Sequence, residues 1–175
     1  MKYLVFLILI FILIACTENG TGNKDNSNRI TGCEPELYAP KFKSIAIDNS
    51  LFELDKYYGK VILLDFWATW CIHCNYSRPM LKLVYDEFYA DTNFVMFGIS
   101  VNDKPEKLLE YLIDKEIKWT QIQNSSQLGP DPKTLFCVDG IPTVIIIDKD
   151  GKINSRINPN SSEIMIRKIK ECLQK

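Results

Sequence analysis

The apolar run Val61-Ile62-Leu63-Leu64 leads through Asp65-Phe66-Trp67-Ala68-Thr69-Trp70 into Cys71-Ile72-His73-Cys74, and this stretch limits what the chain can become. A short unbroken apolar run reads as a buried strand. After Cys74 the spacing turns helical, with Met80, Leu81, Val84, Tyr85 and Phe88 on one face and Lys82, Asp86 and Glu87 on the other. A strand that passes into a helix at Cys71 sets its sulfur at a helix N-terminus, where unpaired N–H groups and the dipole favour an anion. The thiolate is that anion, and it is the reactive form of cysteine. Two cysteines spaced by two residues in such a turn read as a site of dithiol–disulfide exchange. The competing reading is half of a structural zinc site, which needs four ligands. Cys16, Cys33, Cys137 and Cys172 stand singly and His73 is the only histidine, so the ligand set falls short and no metal is expected.

The chain divides into three parts. Lys2 precedes an apolar run from Tyr3 to Ala15. A bilayer-spanning helix takes about 20 apolar residues, so residues 1–15 fit the core of a signal peptide better than a membrane span. The run ends in Leu13-Ile14-Ala15-Cys16, which resembles a bacterial lipobox, and in that signal class the cysteine is acylated. Cys16 is therefore the expected lipidation site; the alternative is an uncleaved anchor with an incidental cysteine. Thr17 to Gly32 is rich in Asn, Gly, Ser, Thr and Asp and carries too little apolar surface to order itself. Residues 16–36 thus read as a lipidated tether, and residues 37–175 as one globular domain. Within the 175 residues, 46% hydrophobic and 25% charged content is that of an ordinary folded domain, and a formal charge of −1 points to no nucleic-acid partner. Nothing suggests an obligate oligomer, so a monomer is expected.

Within the domain, Phe42 to Ile47 alternates like a strand and Asp48-Asn49-Ser50 turns it back into Leu51-Phe52-Glu53-Leu54, a hairpin laid on the edge of a main sheet. Asn93 to Val101 reads as a parallel central strand. Pro105 opens a helix through Leu108, Leu109, Leu112 and Ile113, and Trp119 to Ile122 reads as a further strand. Gln127 to Thr134 is a loop or a short helix. Val144 to Asp148 and Lys152 to Ile157 flank the hairpin turn Lys149-Asp150-Gly151. Ser161 or Ser162 caps a last helix with Met165, Ile169 and Cys172 on its apolar face. The alternation of strands and helices predicts an α/β domain, a central mixed sheet with helices on both faces.

Asp65-Phe66-Trp67-Ala68 with Trp70-Cys71, and Gly140-Ile141-Pro142-Thr143, resemble the strand, active-site entry and cis-proline segment of the thioredoxin superfamily. Ala39-Pro40-Lys41-Phe42 and the lipoprotein-like start are similar to its extracytoplasmic TlpA/ResA branch, and the spacing between the two motifs is longer than in plain thioredoxin, which implies an inserted strand–helix element. The resemblance spans roughly residues 37 to 174. It departs from the branch at Ser77, where a glutamate is common, and at Asp65, where an asparagine is. Ile72-His73 replaces thioredoxin's Gly-Pro, and a histidine before the second cysteine is similar to the more oxidising, disulfide-forming members.

The resemblance implies roles. Cys71 is the nucleophile and Cys74 the resolving cysteine. Asp65, a carboxylate inside an apolar strand whose burial raises its pKa, is the base that deprotonates Cys74 through water; the alternative is a solvent-exposed strand-end aspartate. His73 stabilises the Cys71 thiolate, or is an inert surface histidine. Pro142 sits against the cysteines in cis, the Ile141 backbone takes the substrate chain as an added strand, and Trp70 forms the rim. Cys172 reads as a buried thiol, while the pairing of Cys33, Cys137 and Cys172 stays open. The implied protein is a lipid-anchored thiol:disulfide oxidoreductase of the bacterial envelope, with no cofactor. Its expected partners are exported proteins with cysteines, and a membrane electron-transfer protein that recharges it. The TlpA/ResA likeness implies a reductant, with cytochrome c maturation as one use. His73 hints at an oxidant or isomerase instead. A thioredoxin-fold peroxidase and a copper-binding lipoprotein are the readings from other classes.

Overall fold

The computed structural model describes residues 23–24 and 29–175. The expected signal segment 1–15 and the lipidation site Cys16 lie outside the described residues. Among those described, no helix is long and apolar enough to cross a membrane.

Two short strands, β1 (Asn23–Lys24) and β2 (Ile30–Thr31), pair antiparallel. The chain continues through β3 (Lys43–Ile45) and β4 (Leu51–Glu53) into a 3₁₀ turn at Leu54–Tyr57, then the central strand β5 (Val61–Trp67) and helix α1 (Ile72–Phe88). Strand β6 (Phe94–Ser100), α2 (Pro105–Asp114), β7 (Thr120–Gln123) and the single turn α3 (Pro132–Leu135) follow. Strands β8 (Thr143–Ile147) and β9 (Ile153–Ile157) and helix α4 (Ser162–Leu173) complete the domain.

The main sheet has the order β7-β6-β5-β8-β9, with β5, β6 and β7 parallel and β8 and β9 antiparallel to their neighbours. Every residue of β5 is buried, as its unbroken apolar sequence requires of a strand covered on both faces. Val61 and Leu63 point to one face, where Leu81, Val84 and Phe88 of α1 and Met165, Ile169 and Cys172 of α4 pack on them. Ile62, Leu64 and Phe66 point to the other, under the β3–β4 hairpin (Phe42, Phe52), Leu54 and the residues that follow α3 (Phe136, Val138). Helix α2 lies beside α1, with Leu108 and Leu112 against Trp67 at the end of β5; its Leu109 and Ile113 are exposed. Helices thus flank both faces of a mixed sheet, the long ones on one side. The hairpin sits on the β7 edge, where Ala46 bridges to Ile122 and the Ile47 N–H donates to the Gln121 carbonyl at 2.9 Å. Asp131 caps α3 by accepting from the Thr134 N–H at 3.0 Å, which settles the ambiguous stretch 127–134 as loop plus one helical turn.

The tether boundary at residue 36 needs correcting. Residues 30–36 are attached to the domain: Cys33 is disulfide-bonded to Cys137, the Glu36 N–H donates to the Ile153 carbonyl at 2.8 Å, and Thr31 bridges to Tyr38. The polar composition hid this because the attachment runs through backbone hydrogen bonds and a disulfide, not through apolar burial.

Candidate active site

Strand β5 stops at Trp67, and the turn that follows is fastened from β6. The Asp103 carboxylate accepts from the Thr69 N–H (3.1 and 3.2 Å), the Thr69 hydroxyl (2.6 Å) and the Ser100 hydroxyl (2.8 Å). The Val101 N–H donates to the Trp67 carbonyl at 2.8 Å. Trp70, in this turn, is 59% exposed.

Cys71 is the N-cap of α1, and its Sγ accepts from the Cys74 N–H at 3.1 Å. A sulfur in that position satisfies one of the orphan donors of the first helical turn. The two cysteines form a disulfide with Cα atoms 5.2 Å apart. Cys71 is 6% exposed and Cys74 1%, so the order of accessibility is the one expected, although Cys71 is more covered than an open strand end suggests. The Ile141–Pro142 peptide is cis, and the Ile141 carbonyl oxygen lies 3.8 Å from the Cys71 Sγ. Two motifs 70 residues apart in sequence thus meet at one sulfur.

Asp65 is fully buried. In the sheet it stands between Gly98 of β6 and Val144 of β8. Its partner is Arg78, whose Nη1 lies 3.1 Å from the Asp65 Oδ2 while both side chains are almost wholly covered. The guanidinium carbon of Arg78 sits 3.9 Å from the centre of the Trp67 ring and 5.8 Å from that of Trp119. Burial pushes the Asp65 carboxyl up from 3.8 to about 6, with the Arg78 charge and hydrogen bond pulling the other way. No hydrogen bond joins Asp65 to either sulfur; its side-chain partner is Arg78, one helical turn after Cys74 on the buried face of α1. The Trp67 Nε1 donates to the Gln121 Oε1 at 2.9 Å, and the Gln121 amide donates to the Trp119 carbonyl at 3.0 Å. Gly98 makes room for that amide, since a Cβ there would lie 2.1 Å from the Gln121 Oε1.

His73 is not brought onto the Cys71 sulfur. It is exposed on the outer side of α1 and lines an open groove of about 470 Å³ with Tyr76, Ile141, Pro142, Asn158 and Asn160. Its neighbour Tyr76 is 76% exposed. Arg78 was the residue that sequence reasoning missed. Its signal was its place four residues after Cys74 and three before Leu81, on the face that α1 buries, where a charge needs a partner.

Of the remaining cysteines, Cys33 and Cys137 pair, and Cys172 is a buried thiol whose pKa is raised chiefly by burial. Arg156 secures the pair by donating from Nη1 to the carbonyls of Cys33 (3.1 Å) and Phe136 (2.7 Å) and from Nη2 to that of Cys137 (3.0 Å). Among the described residues no three His, Cys, Asp or Glu side chains gather in a metal-holding group. The Asp148–Gly151 turn is explained by its own bonds, the Asp148 Oδ1 accepting from the N–H groups of Asp150 (3.1 Å) and Lys152 (3.0 Å).

Comparison with known proteins agrees with this geometry. The chain is 23% identical over 172 residues to the thiol-disulfide oxidoreductase ResA of Bacillus cereus, covering 98% of this chain and 95% of that protein. It is 24% identical over 143 residues to the thiol:disulfide interchange protein HelX of Rhodobacter capsulatus, covering 79% and 75%. The crystal structure of a thioredoxin-family thiol:disulfide interchange protein from Chlorobium tepidum superposes with a TM-score of 0.68 at 26% identity, over 80% of this chain and 97% of that one. The thioredoxin-like family profile matches residues 59–153, more than half of the chain and the whole span from the entry of β5 to the start of β9. On that match, and with relatives named thiol-disulfide oxidoreductases, the chain belongs to the thioredoxin-like family and is a thiol:disulfide oxidoreductase.

Proposed function

We propose that this oxidoreductase works on the outer side of a bacterial membrane as a reductant of disulfides in exported proteins. The observation that carries the chemistry is the Cys71–Cys74 disulfide at the N-terminus of α1, set against the cis Ile141–Pro142 peptide. In the reduced enzyme the Cys71 thiolate attacks a substrate disulfide, one substrate sulfur leaves as a thiolate, and a mixed disulfide forms. Cys74 gives up its proton to Asp65 and attacks the Cys71 sulfur. The enzyme disulfide closes and the second substrate sulfur leaves and takes up a proton. The substrate chain lies along the groove by the Ile141 backbone, with Trp70 at the rim and Tyr76 and His73 on the far side.

The Cys33–Cys137 disulfide supports an oxidising compartment, because a bond of this kind outside the redox motif persists there and not in a reducing cytosol. The lipobox-like Leu13-Ile14-Ala15-Cys16 supports a lipid anchor. A membrane electron-transfer protein recharges the dithiol, and the cysteines of apocytochromes c are among the substrates that the ResA and HelX likeness favours. The test is the reduction potential of the Cys71–Cys74 couple, measured against dithiothreitol buffers. A value near about −270 mV supports the reductant, whereas one near about −120 mV makes the protein an oxidant. Failure of Cys71 and Cys74 to form a disulfide at all would overturn the exchange chemistry itself.

A further inference from the structure

A buried ion pair is a poor structural device. Apolar residues of similar volume in its place are often as stabilising or more so, and this pair leaves the Asp65 Oδ1 and the Arg78 Nε and Nη2 without protein partners. Its position is what sets it apart. Arg78 lies one helical turn below Cys74 on the buried face of α1, and its guanidinium carbon sits 3.9 Å from the centre of the Trp67 ring at the root of the active-site turn. We propose that Arg78 is the positioning residue of the resolving step, holding the Asp65 carboxylate in place and ionisable beneath Cys74 so that it takes the Cys74 proton. This rests on the reading above in which Cys74 resolves the mixed disulfide.

The step balances without an outside reagent. Asp65 accepts the Cys74 proton, the Cys74 sulfur bonds to the Cys71 sulfur, the bond from Cys71 to the substrate sulfur breaks, and that sulfur departs with the electron pair. Arg78 is neither acid nor base in this sequence. Its charge opposes the desolvation of the carboxylate, which pushes the Asp65 pKa up. Arg78 is the one charge that acts on Asp65 among the described residues. The titratable groups nearby are Cys71 and Cys74 on α1, Tyr85 beside Trp119, and Tyr111 of α2, whose ring lies 5.2 Å from that of Trp67. Strands β6, β7 and β8 present Gly98, Gln121 and Val144, and α4 presents Met165, none of which titrates.

The experiment starts from the full chain carrying glutathione in mixed disulfide at Cys71 and follows glutathione release by stopped flow across pH. Wild type shows an acid limb on which release slows as Asp65 takes up its proton. Asp65→Asn abolishes the limb and slows release by about a hundredfold. Arg78→Met moves the limb to higher pH, so that release at a fixed pH on the limb falls by about tenfold for each unit moved. Arg78→Lys, which keeps the charge, restores most of the limb position. If Arg78→Met unfolds the chain, Arg78→Gln, which keeps a hydrogen-bonding side chain without the charge, carries the test: its limb also moves to higher pH, and a limb that coincides with that of wild type overturns the role of Arg78. An Arg78→Met limb that coincides with that of wild type overturns the role of Arg78 and leaves the exchange mechanism standing. A wild type that never releases glutathione, or releases it unchanged after Cys74→Ser, overturns the resolving role of Cys74 and this proposal with it.

Discussion

Two opposed effects act on Asp65, and stability against pH reports which one wins. Burial favours the protonated carboxyl, whereas Arg78 at 3.1 Å favours the carboxylate. The net result is a rise from 3.8 to about 6. Between those values the folded protein holds a proton that the unfolded chain has released, so stability falls as pH rises through the window. The contribution is fully present below the unfolded value and lost above about 6. A gap of about two pKa units corresponds to ~3 kcal/mol. The perturbation is Asp65→Asn, whose amide does not titrate, and the assay is urea unfolding of both disulfide-form proteins from about pH 4 to about pH 8. Keeping the disulfide closed removes the titration of Cys71 and Cys74, and the other groups cancel in the difference. Wild type should lose about 3 kcal/mol relative to Asp65→Asn as pH rises across the range. A difference that is flat, which means that the two effects cancel, or one that grows in favour of wild type at high pH, which means that the attraction of Arg78 outweighs the burial, refutes the reasoning.

The Cys33–Cys137 bond spans 104 residues, and replacing both cysteines by serine should lower the unfolding free energy by about 2–4 kcal/mol, short of the ~4.7 kcal/mol that loop entropy allows, because Arg156 still holds both segments. Exchange at Cys71–Cys74 should be unchanged, and unaltered urea stability would show that the bond constrains nothing. Gly98→Ala should cost about 1–3 kcal/mol in the same assay and shift the tryptophan fluorescence, because its Cβ displaces the Gln121 amide from the Trp67 Nε1; a neutral result would mean that Gln121 finds other partners at no cost.

The sheet and its long helices were legible because their signals are local. Val61 to Leu64 cannot be solvated, the period of Leu81, Val84 and Phe88 is helical, and the turn at Gly151 needs the positive φ of 82° that glycine tolerates. The cysteine pair was legible for the same reason, its partners being three residues apart. What stayed hidden depends on residues far apart in the chain. The pairing of Cys33 with Cys137 rests on the backbone bonds of Glu36 and the reach of Arg156 from β9. The attachment of residues 30–36 has the same origin. Arg78 lies between these cases. The stripe Cys74, Arg78, Leu81 marks it as buried, but the charge that answers it is on another element, thirteen residues earlier. Each buried charge was the missing explanation of the other. An aspartate in an apolar strand followed by an arginine on the apolar face of the next helix is a pattern that a sequence alone can yield.

We expect the redox poise to follow from these contacts more than from the residues between the cysteines. The span from a thioredoxin-like potential of about −270 mV to a strongly oxidising one of about −120 mV is about 150 mV, or ~7 kcal/mol of preference for the dithiol at about 30 mV per 1.4 kcal/mol. The helix N-terminus and the Cys74 N–H favour the Cys71 thiolate and push toward oxidant. The Asp103 carboxylate under Thr69 pushes the other way, and Asp65 with Arg78 is neutral as a pair when ionised. His73 faces solvent in the groove, where an exposed charge contributes at most about 1 kcal/mol, equivalent to about 20 mV. His73→Ala should therefore shift the measured potential by no more than about 20 mV. A shift of about 100 mV would refute that account, since a change of that size requires a desolvated contact between the imidazole and the Cys71 thiolate, made when the disulfide opens.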